Sequence, residues 1–304
     1  MTSFQFQEHL GALKDKIVIL TGGANGIGAA TVRFLAEKGA YICSADQDAV
    51  GGQAVVDQVV SKYPASGKPR ACFKQTDVTS YESLLALFDF CMQTYGRIDS
   101  AVSCAGIIEV GNWFNPELTL ETVRQVPPKK TLDVNLLGSL YFSRIAVVYL
   151  KQGSKPSDDK SLTLISSLAG FKDTPGMPLY QASKHGILGL LRCLRPVLPE
   201  SNGVRVNAVC PWYVATGMTS LIEDKWLEAG LPVNQPGDIA QIIAGLTAIA
   251  GLNGKAIYAE GGRGWEIEDN LNRLQPQWLG EEPSASLEEG QKALMEWSGL
   301  MKNL

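Results

Sequence analysis

Tyr180 and Lys184 stand four residues apart in Leu179-Tyr180-Gln181-Ala182-Ser183-Lys184. On a helix that spacing puts both side chains on one face. A phenol with a pKa near 10 is a poor base at neutral pH. An ammonium held beside it favours the phenolate, and the pair becomes a usable proton donor and acceptor. Ser166 and Ser167 close the apolar run that precedes this helix, where either hydroxyl could point into the same cleft. A hydroxyl to hold an oxygen, a phenol to exchange its proton and a hydride donor across the plane are what carbonyl reduction, or alcohol oxidation, requires. Singly, each residue has a plainer use. With nine tyrosines in the chain, a chance Tyr-x-x-x-Lys carries little weight, and the serines could satisfy backbone groups at a strand end.

A source for the hydride is written near the N-terminus. Thr21-Gly22-Gly23-Ala24-Asn25-Gly26-Ile27-Gly28 follows a β-branched run and opens a helix. Such a turn lets backbone approach a pyrophosphate, with the helix N-terminus supplying amide donors and the positive end of its dipole. Asp46 ends the next strand, eighteen residues past Gly28. A carboxylate there can hold both ribose hydroxyls of NAD and repel a 2′-phosphate. The loop carries no Lys or Arg, and Gln47 follows Asp46, so NAD is expected rather than NADP. The competing use of Asp46 is as a turn residue or helix N-cap.

The elements that must position these residues alternate in type. Short β-branched runs at 17–20, 41–45, 71–76, 100–104, 162–166, 204–209 and 256–259 read as strands. Amphipathic stretches at 29–38, 49–62, 81–95, 131–150, 179–198 and 239–250 read as helices. This order implies βαβ units, right-handed crossovers and a parallel sheet covered on both faces. The expected fold is α/β, a single doubly wound (Rossmann) domain over 1–262, with a C-terminal extension over 263–304. In that extension Ser286-Leu287-Glu288-Glu289 resembles a capping box. Leu287, Leu294, Trp297 and Met301 recur at roughly helical spacing, predicting a helix that needs a surface to pack on.

Composition excludes other classes. With 45% hydrophobic and 19% charged residues the chain is globular. A net charge of −4 without a basic stripe argues against nucleic acid as a partner. No apolar run approaches the roughly 20 residues of a membrane span, and 1–10 has no signal-like apolar core. The six cysteines form no C-x-x-C pair and read as reduced, mostly buried thiols rather than disulfides or a metal site. A cytoplasmic location is expected.

Together these motifs resemble those of the short-chain dehydrogenase/reductase family, over residues 15 to about 262. The family's T-G-x-x-x-G-x-G falls on Thr21, Gly22, Gly26 and Gly28, enclosing Asn25 and Ile27. Its cofactor-selecting acid falls on Asp46, its adenine-flanking Asp-Val on Asp77-Val78, and its active-site Asn on Asn135. The family serine lies thirteen before the tyrosine, which selects Ser167. A Pro-x-x-x-x-Thr element matches Pro211 and Thr216, with Val214 between them. The resemblance implies that Tyr180 is the acid/base, that Lys184 depresses its pKa and grips the nicotinamide ribose, and that Ser167 orients the substrate oxygen. It also implies that Asn135 positions a water for a proton relay, and that the protein is a homo-oligomer, dimer or tetramer. Two departures stand out. Asn-Asn-Ala-Gly reads Ser103-Cys104-Ala105-Gly106, and Pro-Gly reads Pro211-Trp212, which sets an indole at the nicotinamide end of the pocket.

Substrate loops in such a fold lie beyond the C-terminal ends of the strands. Phe171, Met177, Trp212, Tyr213 and Met218 fall there, with few basic residues among them. A bulky, mostly apolar secondary alcohol or ketone of terpenoid, steroid or polyketide type is expected, not a phosphorylated one. The segments 165–170 and 182–187 are similar to those of 15-hydroxyprostaglandin dehydrogenase-like members of the family, which implies oxidation with NAD. The alternatives are an NAD(P)H-dependent ketone or imine reductase in biosynthesis, and a non-catalytic NAD(H) sensor. A sensor has no use for an acid/base pair.

Overall fold

A computed structural model describes residues 3–111, 113–155 and 158–297. Seven strands run parallel: β1 (Ile17–Thr21), β2 (Tyr41–Asp46), β3 (Ala71–Gln75), β4 (Ser100–Ser103), β5 (Lys160–Ile165), β6 (Val204–Pro211) and β7 (Ala256–Glu260). An eighth, β8 (Arg263–Glu266), pairs antiparallel with β7. The order is β3-β2-β1-β4-β5-β6-β7-β8. β1, β4, β5 and β6 are buried throughout, as expected of parallel strands covered by helices on both faces.

The helices in chain order are α1 (Gly26–Glu37), α2 (Ala49–Lys62), α3 (Tyr81–Tyr95), α4 (Lys130–Leu132), α5 (Gly138–Lys151), α6 (Pro178–Leu194), α7 (Leu198–Asn202), α8 (Glu223–Glu228), α9 (Pro236–Ala248), α10 (Glu268–Arg273), α11 (Gln275–Leu279) and α12 (Glu281–Glu296). Local chemistry sets their ends. Asp48 caps α2 by accepting the Gly51 N–H at 3.0 Å, and Ser80 caps α3 through the Ser83 N–H at 3.1 Å. α3 ends at Gly96, whose φ of 83° is left-handed. One core packs α1, α2 and α9 against the sheet, through Val32, Leu35, Val56 and Ile243. The other packs α3, α5 and α6, through Phe88, Phe142 and Leu188. Strand order reverses at β1, so β1 and β4 lead away in opposite directions and leave a crevice beyond their C-terminal ends.

The structure departs from the expected elements in four places. The helix expected over 179–198 stops at Leu194, because Pro196 lacks the N–H that a continued helix needs, and α7 follows as a separate turn. The helix expected from 131 contains a π turn at Asp133–Leu137. The sheet runs past 262, with β8 held from outside by the Phe4 N–H on the Gly264 carbonyl at 2.7 Å. The C-terminal helix starts at Glu281, so Ser286 lies inside it and caps nothing. On that helix and its end Leu287, Leu294 and Trp297 are 41%, 53% and 55% exposed, so they find little of the surface they were expected to need. Met301 lies outside the described residues. Among the described residues no helix is long and apolar enough to cross a membrane.

Candidate active site

The crevice is built first from backbone. Gly22 has a φ of 78°, and a Cβ there would stand 2.8 Å from the Ala105 Cα. A Cβ on Gly28 would stand 1.9 Å from the Gly22 carbonyl oxygen. Glycine is therefore what allows β1, α1 and the loop after β4 to meet this closely. Thr21 Oγ1 fastens that meeting by accepting the Cys104 and Ala105 N–H groups at 3.3 and 3.4 Å. Asp46 is fixed at the end of β2: one carboxylate oxygen accepts the Ala24 N–H and the other the Asp48 N–H, both at 3.0 Å. The carboxylate thereby faces the glycine loop instead of capping α2, a task Asp48 performs.

A cavity of about 290 Å³ runs from this loop to the first turns of α6. Its wall comprises Gly22, Asn25, Gly26, Ile27 and Gly28, then Asp46, Asp77 and Val78, then Ala105 and Gly106. Ser167, Tyr180 and Lys184 complete it with Pro211, Trp212, Val214, Thr216 and Met218. Every residue expected to hold the cofactor thus lies on one wall. Among the described residues lining it, Lys184 is the one cation.

Lys184 is 5% exposed, donates to the Ile165 carbonyl at 3.0 Å, and places Nζ 5.5 Å from the Tyr180 ring centre. Both serines border the cavity, but their hydroxyls are held differently. Ser166 is buried and its hydroxyl donates to the Lys184 carbonyl at 2.9 Å, tying α6 to β5. Ser167 lines the cavity, accepting the Ala169 N–H at 3.2 Å and reaching the Pro211 carbonyl at 3.4 Å. Asn135, expected in a proton relay, sits behind the wall in the π turn. Its side chain is occupied on both polar groups of Ile107, at 2.8 Å each, and its carbonyl accepts the Ser139 hydroxyl at 2.9 Å. π turns inside helices recur at functional sites because they turn side chains and carbonyls out of helical register.

At the substrate end Trp212 and Met218 line the cavity, whereas three expected residues lie off its wall. Tyr213 is buried with its ring stacked on Trp226 at 4.8 Å. Phe171 packs edge-on against Tyr258 at 5.9 Å. Met177 is the residue before α6. The five expected residues are all apolar or aromatic, but adjacent ones point opposite ways, and spacing alone did not say which. Ile107, Val134, Ile165 and Thr219 also line the wall; they flank the recognised motifs and carry no polar signature beyond the Thr219 hydroxyl.

Cys104, in the altered Ser-Cys-Ala-Gly segment, lines the cavity too. Burial pushes its thiol up to about 12 against the pull of the Lys184 ammonium, so the nucleophilic thiolate is scarce at pH 8. Iodoacetamide at pH 8 is expected to modify exposed Cys193 well before Cys104. Peptide mass spectrometry showing Cys104 labelled first would reject this.

A tyrosine and a lysine at one end of a cleft and a glycine-rich strand-to-helix turn at the other are the groups an oxidoreductase needs to take its hydride from a dinucleotide. Comparison with known proteins agrees. The short chain dehydrogenase family model matches residues 16–226, and the chain belongs to that family. It is 30% identical over 273 residues to the short-chain dehydrogenase/reductase ascJ of Acremonium egyptiacum, covering 89% of this chain and 87% of that one. It is also 30% identical over 292 residues to 5′-hydroxyaverantin dehydrogenase of Dothistroma septosporum, covering 90% and 92%. The crystal structure of gox2181 superposes with a TM-score of 0.70 at 26% identity, over 84% of this chain and 98% of that one. The protein is accordingly a hydride-transfer oxidoreductase that works with a nicotinamide cofactor.

Proposed function

We propose that the protein is an NAD(H)-dependent dehydrogenase of a bulky, mostly apolar secondary alcohol, of terpenoid, steroid or polyketide type, acting in the oxidative direction. The observation that carries this reading is the single cavity joining the Asp46 carboxylate to Tyr180. A dinucleotide fits the residues present, since Gly22 and Gly28 let the backbone close in as no residue with a Cβ could, and the loop they shape lines the cavity. Gly22 to Gly28 would hold its pyrophosphate, Asp46 its adenine ribose, and Lys184 the nicotinamide ribose. When bound, the nicotinamide supplies or accepts the hydride. Asp46 supports NAD over NADP, because among the described residues no cation on the wall beside it would offset a 2′-phosphate.

The chain's own groups manage the proton. Ser167 holds the substrate oxygen beside Tyr180, and the Tyr180 phenolate accepts the alcohol proton as the carbonyl forms. Lys184 stabilises that phenolate while its bond to Ile165 keeps Nζ in place. Ile107, Trp212 and Met218 supply the apolar walls. Similarity to a protein named 5′-hydroxyaverantin dehydrogenase supports the secondary-metabolite class. The reading includes a homo-oligomer, to which the 39% and 54% exposed Leu140 and Val148 of α5 would contribute apolar surface.

Thermal unfolding with NAD⁺, NADH and NADP⁺ tests the cofactor, followed by turnover of 1-indanol against glucose. A ligand at about a hundred times its dissociation constant stabilises by roughly 2.7 kcal/mol, and this is expected for NAD⁺ or NADH but not NADP⁺. Gly28→Ala should abolish the shift, because its Cβ would displace the Gly22 carbonyl. A preference for NADP⁺ would favour a biosynthetic reductase, and glucose turned over faster than 1-indanol would end the apolar-alcohol reading.

A further inference from the structure

The hydrogen bonds around the Tyr180 peptide close on themselves. Asn135 Nδ2, besides holding Ile107, reaches Ser183 Oγ at 3.3 Å. Ser183 Oγ in turn donates to the Tyr180 carbonyl at 2.7 Å. From the other side the Tyr180 N–H donates to Glu109 Oε2, also at 2.7 Å. Glu109 lies two residues beyond Ile107, so the circuit returns to the segment from which it began. Both polar groups of the Tyr180 peptide are thereby tied to the loop after β4, and Ile107 of that loop lines the cavity.

Glu109 does work that α6 cannot do for itself. Tyr180 is the third residue of α6, where an N–H has no partner within the helix. Met177, at the N-cap position, has no side-chain oxygen and makes no cap bond. A carboxylate from 71 residues away fills that role, and a negative charge at a helix N-terminus is well placed against the dipole. Its other oxygen, Oε1, is buried without a hydrogen-bond partner. Leaving a carboxylate oxygen unpaired is costly, and a Ser or Asp in place of Met177 would cap the helix without that cost. What such a cap would lack is the link between the tyrosine and the Ile107 wall.

We propose that Glu109 is a positioning residue for proton transfer: it holds the Tyr180 peptide, and with it the phenol, in register with the Ile107 wall of the substrate cavity. The inference rests on Tyr180 being the acid/base. Misplacing a reacting group by about 1 Å can cost on the order of 100-fold in rate. Glu109→Ala should therefore lower kcat for 1-indanol by about 10- to 100-fold, leave NADH affinity unchanged, and raise the solvent deuterium isotope effect on kcat as proton transfer becomes limiting. Glu109→Gln keeps an oxygen that can accept the Tyr180 N–H, and should restore kcat most of the way and return the isotope effect to the wild-type value. A loss carried by KM, with kcat and isotope effect unchanged, would overturn the positioning role. Inactive Tyr180→Phe beside Glu109→Ala of wild-type kcat would overturn it alone, whereas fully active Tyr180→Phe would remove the reading beneath it.

Discussion

Tyr180→Phe is expected to lower kcat by about 10²- to 10⁴-fold, the usual worth of a positioned general acid or base, while NADH still stabilises the protein. The substitution removes one oxygen and keeps the ring, so packing at the head of α6 survives. Lys184 keeps its bond to the Ile165 carbonyl and stays in position without a phenolate to stabilise. No neighbour replaces the lost group. Ser167 is engaged with Ala169 and Pro211, and a serine hydroxyl is a far weaker acid than a phenol. Asn135 has both side-chain polar atoms committed to Ile107. The measurement is turnover of 1-indanol alongside thermal unfolding with NADH. Wild-type turnover in Tyr180→Phe would mean that the proton leaves by another route, and the acid/base assignment would be wrong.

What the sequence revealed and what it hid follow from the range of the interactions. The parallel strands were readable because strands covered on both faces are short runs rich in apolar and β-branched residues, alternating with longer amphipathic stretches. The glycine loop was readable because close backbone approach tolerates little else, as the 1.9 Å gap at Gly28 shows. Tyr180 and Lys184 needed one helical spacing, a local property. β8 was missed because Arg263-Gly264-Trp265-Glu266 is short, and its pairing with β7 and contact with Phe4 are tertiary facts. The choice between Ser166 and Ser167 could be made only by resemblance, since a one-residue step reverses which way a strand-end side chain points. In the structure both border the cavity, but the Ser166 hydroxyl is spent on the Lys184 carbonyl while that of Ser167 sits beside the Pro211 carbonyl. Glu109 gave no signal at all. A carboxylate that caps a helix from 71 residues away leaves no periodicity and no local motif.

A large loss of stability from a single substitution is expected far from the cleft, at Asp159→Asn. Asp159 immediately precedes β5 and accepts from Arg205 Nε and Nη2 at 2.5 and 3.0 Å and from Lys16 Nζ at 2.5 Å. Arg205 lies at the beginning of β6 and Lys16 immediately precedes β1, so the carboxylate joins strands at the end of the sheet opposite the crevice. The Arg205 and Lys16 side chains are 7% and 15% exposed. An amide in place of the carboxylate leaves two poorly hydrated cations facing each other. Removing one partner of a buried ion pair costs about 3–5 kcal/mol. The low end, about 3 kcal/mol, is expected here because Arg205 also donates to the Leu246, Thr247 and Leu252 carbonyls. Burial alone would raise the Asp159 carboxyl, but the hydrogen bonds and charges of Arg205 and then Lys16 outweigh it and hold the pKa below its ordinary value. A depressed carboxyl contributes stability that is complete above its unfolded value, about 3.9, and is lost as pH falls through the folded one. Urea unfolding should therefore show the full deficit of Asp159→Asn at pH 7, shrinking below about pH 4 as the wild-type carboxylate takes up its proton. The NADH-dependent stabilisation should be unchanged, since the substitution lies beyond reach of the cavity. A deficit under about 1 kcal/mol, the worth of an exposed pair, or one that persists undiminished in acid, would show that the two cations find solvent without Asp159.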